Sequence, residues 1–183
     1  MSSVDVPWYV AAGWAIDLFL GQQQRHHDDL EVGVPADRFP EVADALSSYD
    51  LFVAGGINDE PLVWPLAGAE WSLVEHHQTW VREPSTGYWR MDLFREPSRD
   101  GLWVCRRHPD IALAYEDLIA HTDNGIPFAR PEVVLLFKAK HQLPKDEGDF
   151  AAALPLLDPD ARSRLAAWLE LVHPGHSWIS TLR

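Results

Sequence analysis

The chain has 183 residues, of which 46% are hydrophobic, and carries a formal charge of −13 from 28 acidic and 15 basic residues. That is enough apolar sequence for one compact core, or for one principal domain with a small appendage, and a field of that sign repels a phosphate backbone, which excludes a general nucleic-acid binder. Cys105 is the single cysteine, so an internal disulfide is excluded and a reducing, cytoplasmic setting is expected. No signal peptide or membrane anchor is expected either, since no apolar run approaches the length of a bilayer span.

In chain order, Trp8 to Ala11 reads as a short buried strand. Gly13 breaks it ahead of Trp14 to Leu20, whose apolar spacing predicts a helix ended by Gly21. After the polar stretch Gln22 to Asp28, the alternation Asp29, Leu30, Glu31, Val32 predicts a half-buried strand with both acids on one face. Asp37 to Ser48 reads as helix. Leu51 to Ala54, Leu62 to Trp64, Trp71 to Glu75, Thr79 to Val81, Tyr88 to Phe94 and Leu102 to Arg106 read as short strands between Gly, Pro, Asn and Asp. Pro131 and the Asp158-Pro159 pair mark helix starts, the second helix running to about His173. The expected class is α+β: a β-rich domain over residues 1–127 and a helical C-terminal subdomain over 128–183, divided at a loop near Asp123 to Pro127.

The acids carry the chemistry. Two carboxylates at i and i+2 on a strand lie roughly 6.5–7 Å apart on one face, where both can reach a hard cation, and magnesium suits oxygen ligands. Asp92 sits in an otherwise apolar strand, where a carboxylate needs a partner, and is the candidate third member. An Asp-x-Glu pair commonly does no more than solvate an edge strand. Here, however, a glycine turn opening a helix comes just before it, and that order presents backbone N–H groups and metal ions to one polyphosphate.

The run Ala11 to Gly21, followed by Arg25-x-His27-x-Asp29-Leu30-Glu31-Val32, resembles the opening of the aminoglycoside and lincosamide nucleotidyltransferases of the polymerase-beta-like superfamily. Asp92 resembles their third acid, and Lys138 with Pro144-Lys145-Asp146-Glu147-x-Asp149 resembles their lysine-bearing helix. The resemblance implies a mixed sheet flanked by helices and a Mg2+-dependent transfer of a nucleoside monophosphate, from ATP or another nucleoside triphosphate, to a hydroxyl of a small, cationic, aminoglycoside-like acceptor. Asp29 and Glu31 would hold the metal that bridges the triphosphate, and Asp92 would hold a second metal or accept the hydroxyl's proton. Ala12, Gly13, Trp14 and Lys145 would bind the nucleotide. Where the family usually shows Gly-Gly or Gly-Ser, this chain has Ala12 before Gly13, and the Ala12 Cβ bears on close approach and on unusual backbone angles. A non-catalytic or toxin-antitoxin-type relative that binds nucleotide or a protein is the competing expectation.

Three further expectations concern neighbouring charges. Asp17 and Arg25 are expected to pair, and Lys145 can either reach a phosphate or join Asp146 and Asp149 on a solvated helix face. A zinc site from His26 and His27 is disfavoured, because adjacent histidines do not face one metal from a strand. An acid-rich, Trp-lined acceptor cleft is expected between the β-rich part and the C-terminal helices.

Overall fold

The computed structural model describes residues 4–57 and 60–183. In chain order the elements are β1 (Tyr9–Val10), α1 (Ala12–Leu20), β2 (Glu31–Pro35), α2 (Phe39–Ala45), β3 (Asp50–Ile57), β4 (Glu60–Pro65), β5 (Gln78–Arg82), β6 (Trp89–Glu96), β7 (Ser98–Arg99), β8 (Leu102–Val104) and β9 (Ala112–Ala114). They continue with α3 (Tyr115–Leu118), β10 (Ile119–His121), β11 (Pro127–Ala129), α4 (Pro131–Lys138), α5 (Pro144–Ala153), α6 (Pro159–Val172) and α7 (Trp178–Leu182).

Eight strands form one mixed sheet in the order β10-β11-β1-β2-β6-β5-β3-β4, and β7-β8-β9 form a small second sheet. β2 runs parallel to β6 and β1 parallel to β11, while the other pairings of the large sheet are antiparallel. Alternation along β2 and β6 divides the two faces. Val32, Val34 and Leu93 pack with Phe39, Val42 and Leu46 under α2, which leaves the cross-strand pairs Glu31–Asp92 and Gly33–Phe94 on the opposite face. Gly33 has no room for a side chain, because an added Cβ would lie 2.3 Å from the Tyr9 ring. A single apolar cluster joins β1 and α1 to α4, α5, α6 and α7, from Tyr9 through Leu135, Leu165 and Trp178 to Leu182.

The local signals explain most boundaries. Gly21 closes α1 at φ 69°, where glycine carries no steric penalty. Pro131 and Pro159 stand in the first turns of α4 and α6, and the Asp158 carboxylate accepts the Ala161 N–H at 2.7 Å. One expectation changes. Residues Glu70–Leu73 form a 3₁₀ turn where Trp71 to Glu75 suggested a strand, and the buried Arg95 of β6 caps that turn by donating to the Leu73 carbonyl at 2.8 Å. The segment around Asp123 to Pro127 is the turn of the hairpin β10–β11, whose second strand joins the main sheet beside β1. No helix of the described residues is long and apolar enough to cross a membrane.

Candidate active site

α1 begins directly behind β1, and the Ala11 N–H donates to the Glu31 carbonyl at 2.8 Å. The Trp14 indole donates to the Asp29 carbonyl at 3.0 Å. These two bonds fix the turn to the acid-bearing segment. No side chain caps the N-terminus of α1 and no acid stands in its first turn, so its leading N–H groups remain open to an anion. Gly13 is obligatory, because an added Cβ would lie 2.5 Å from both the Arg25 guanidinium and the His27 ring. Ala12 has φ 49°, in the left-handed region where a Cβ costs about 1–2 kcal/mol. Ala12→Gly should therefore raise stability by up to about 1 kcal/mol, after allowance for glycine's greater freedom in the unfolded chain. Thermal unfolding checks this, and an equal or lower Tm would show that the surroundings relieve the strain.

Glu31 and Asp92 are direct partners in the parallel pair β2–β6. Asp29 lies on the loop just before β2, exposed, where a strand residue was expected. The charge of Asp29 acts on both Glu31 and Asp92. Burial raises the Glu31 carboxyl to about 7, with the charges of Asp29 and Asp92 adding and those of Lys138 and Lys145 opposing. Burial likewise raises Asp92 to about 7, against the hydrogen bond from Gln78, while the charge of Asp29 raises it further. The Gln78 amide donates to Asp92 Oδ2 at 2.7 Å, whereas Asp92 Oδ1 is buried without a hydrogen-bond partner.

Two neighbouring carboxyls that burial disfavours in charged form, one of them with an orphaned oxygen, are a donor set that a hard divalent cation would relieve. Among the described residues, no group of three His, Cys, Asp or Glu side chains is already gathered closely enough to enclose a metal.

The neighbouring charges pair differently from expectation. Asp17 binds His27, not Arg25: Asp17 Oδ2 and His27 Nε2 lie 2.5 Å apart and both side chains are buried. Arg25 instead reaches Asp149 of α5 at 3.3 Å, and Lys138 pairs with Asp149 at 2.7 Å and with Asp146 at 3.2 Å. Lys138 is thus held in a buried network. That removes the alternative in which Asp146 and Asp149 form a surface pair with Lys145.

Two cavities meet at the acids. The first, about 380 Å³, lies between the sheet and the C-terminal helices, and its lining includes Ala12, Gly13, Asp29, Glu31, Lys138 and Lys145. Its deep end holds buried Glu96, paired with Arg106 at 3.1 Å. The second, about 440 Å³, is lined by Trp14, Trp80, Trp89, Leu30, Met91, Arg90, His27, Asp28, Asp29 and Asp92, so it draws on no residue of the C-terminal helices. The Trp-lined cleft is therefore walled by β5, β6 and α1. Asp29 and His27 line both spaces. The roles of His27, Gln78, Trp80 and Trp89 were not evident in the sequence, although the Arg25-x-His27-x-Asp29 spacing marks the first of them.

A glycine turn opening a helix, with acids on adjacent parallel strands and helices closing one side, defines the nucleotidyltransferase fold. The comparisons agree. Residues 1–83 match the family model for aminoglycoside-2''-adenylyltransferase. Among solved structures, lincomycin-bound lincosamide antibiotic adenylyltransferase LnuA is 20% identical with a TM-score of 0.52, covering 83% of this chain and 88% of that one. The antibiotic-resistance factor ANT(2'')-Ia is 15% identical in its solution structure, with a TM-score of 0.54 over 91% of this chain and 83% of that one. Its crystal structure with adenylyl-2''-tobramycin is 14% identical, with a TM-score of 0.53 over 91% and 89% of the two chains. No curated protein sequence matches significantly. The chain thus has the nucleotidyltransferase fold, and its first 83 residues resemble the aminoglycoside-2''-adenylyltransferases.

Proposed function

We propose that the protein transfers a nucleoside monophosphate from ATP to a hydroxyl of a small, cationic, antibiotic-like acceptor, with magnesium held by Asp29, Glu31 and Asp92. The observation that carries this reading is the position of Asp29 on the shared wall of two cavities, with Glu31 on one side and Asp92 on the other. One space then takes the triphosphate and the other the acceptor. The first offers the open N–H groups behind Ala12, Gly13 and Trp14, and Lys145, an exposed cation with no ion-pair partner among the described residues. The second places the acceptor hydroxyl beside Asp92.

Bound magnesium would neutralise charge developing on the phosphoryl oxygens and on the departing pyrophosphate. The protein's own contributions are positional and acid–base. Asp92 would hold a second metal or, where it stands free of metal and burial raises it to about 7, accept the proton of the attacking hydroxyl near neutral pH. Gln78 orients its other oxygen. The backbone tie from Ala11 to the Glu31 carbonyl keeps phosphate turn and acids in register, and the α5 network holds the loop that carries Asp29.

Magnesium and ATP at about a hundred times the dissociation constant should stabilise the fold by about 2.7 kcal/mol. Lys145→Ala should weaken ATP binding by about tenfold and leave AMP binding unchanged, because the lysine would meet a phosphate that AMP lacks. Calorimetric titration of both nucleotides is the test. No stabilisation by magnesium–ATP would defeat the proposal, and equal weakening of both nucleotides would return Lys145 to the solvated surface.

A further inference from the structure

The walls of the second cavity define its acceptor more narrowly than overall charge does. Its apolar lining is Trp14, Trp80, Trp89, Leu30 and Met91. Trp80 and Trp89 meet edge to face with centroids 5.3 Å apart, making a corner of two flat surfaces, and Trp14 closes the side next to His27. Such a corner takes the face of a ring or an alkyl group.

Four charged residues line the space. Asp29 and Asp92 belong to the transfer chemistry proposed above. Asp28 is a rim residue, its side chain 98% exposed and 3.6 Å from His26, so solvent screens most of what it could offer an ammonium group. Arg90, paired with Glu83, repels one. Beyond Asp29 and Asp92, a second or third ammonium entering this space therefore finds only the solvent-screened carboxylate of Asp28. The attraction of an indole face for a cation is weaker than the cost of stripping an ammonium of its water.

We infer that the acceptor is an amphiphilic hydroxyl compound with an apolar ring or alkyl face and no more than one ammonium group, and that a polyamine sugar is a poor substrate. The inference rests on the proposed transfer and refines its acceptor. The negative surface of the protein serves solubility rather than capture of a polycation.

The test compares two probes on the intact protein with magnesium and ATP: lincomycin, which carries one amine and an alkyl-bearing ring, and tobramycin, a polyamine. Pyrophosphate release should give lincomycin a kcat/KM at least about tenfold above that of tobramycin. Its affinity, read by quenching of tryptophan fluorescence, should change less than about threefold between ~0.01 M and ~0.15 M salt, over which the screening length falls from roughly 30 Å to 8 Å. Trp89→Ala, at a half-exposed site, should weaken lincomycin about tenfold and leave ATP affinity unaltered. Tobramycin used as well as lincomycin, a steep salt dependence, or binding of neither probe overturns the inference. ATP binding is measured in the same samples, so a failure confined to the acceptor is told apart from a failure of nucleotide transfer itself.

Discussion

Asp29→Asn and Glu31→Gln should each reduce transfer by on the order of 10³ or more and remove the stabilisation given by magnesium–ATP, with no loss of thermal stability in the absence of metal. Asp29 is exposed on its loop, and Glu31 raises the charge density of a crowded acidic face. Neither side chain has a protein hydrogen-bond partner among the described residues whose loss would loosen the fold. The two outcomes are read separately, pyrophosphate release reporting transfer and calorimetry reporting nucleotide binding. Either variant with parental nucleotide affinity and turnover would show that the substituted acid takes no part in metal or nucleotide binding.

Asp92→Asn should separate the two outcomes. If Asp92 serves chiefly as the base, nucleotide affinity survives within about threefold while transfer falls by about 10² to 10⁴. The same substitution makes a prediction about stability. The Asp92 carboxyl is raised from 3.8 to about 7 in the folded protein, so the folded state holds a proton that the unfolded chain releases. The resulting penalty is absent below pH about 4, grows as pH rises, and is complete above pH about 7. Glu31, raised from 4.5 to about 7, acts in the same direction. The metal-free parent should therefore lose stability between pH 4 and 7. At pH 8 Asp92→Asn should be more stable than the parent by about 1–3 kcal/mol, and at pH 4 the difference should shrink. Denaturant unfolding at the two pH values measures it. Should Asp92→Asn prove less stable than the parent at pH 8, the carboxylate is satisfied as it stands. Stabilisation on removing a site acid is what a site built for binding rather than for folding predicts.

The opening of the fold was legible because its signals are local. A glycine turn, an apolar helix and alternating acids lie within the first 35 residues, and each element is set by neighbours close in sequence. Asp92 was legible for a different reason, as a carboxylate in an apolar strand. What the sequence hid were partnerships between distant residues. Asp17 could pair with either of two nearby bases, and the choice of His27 was made when Arg25 turned toward Asp149, 124 positions away. Trp80 and Trp89 carry no local mark of a cavity, because their indoles meet only after β5 and β6 align. The hairpin strands β10 and β11 have three residues each, too few for alternation to show.

The buried charges shared by Arg25, Lys138, Asp146 and Asp149 bear on how variants of this protein would be interpreted. Substitution at Asp149 would leave Arg25 without its carboxylate and loosen the loop that carries Asp29, whereas substitution at Asp146 would leave Lys138 still paired with Asp149. A loss of function at Asp149 alone of the two would therefore mark a mechanical tether from the C-terminal helices to the Asp29 loop rather than a point of ligand contact.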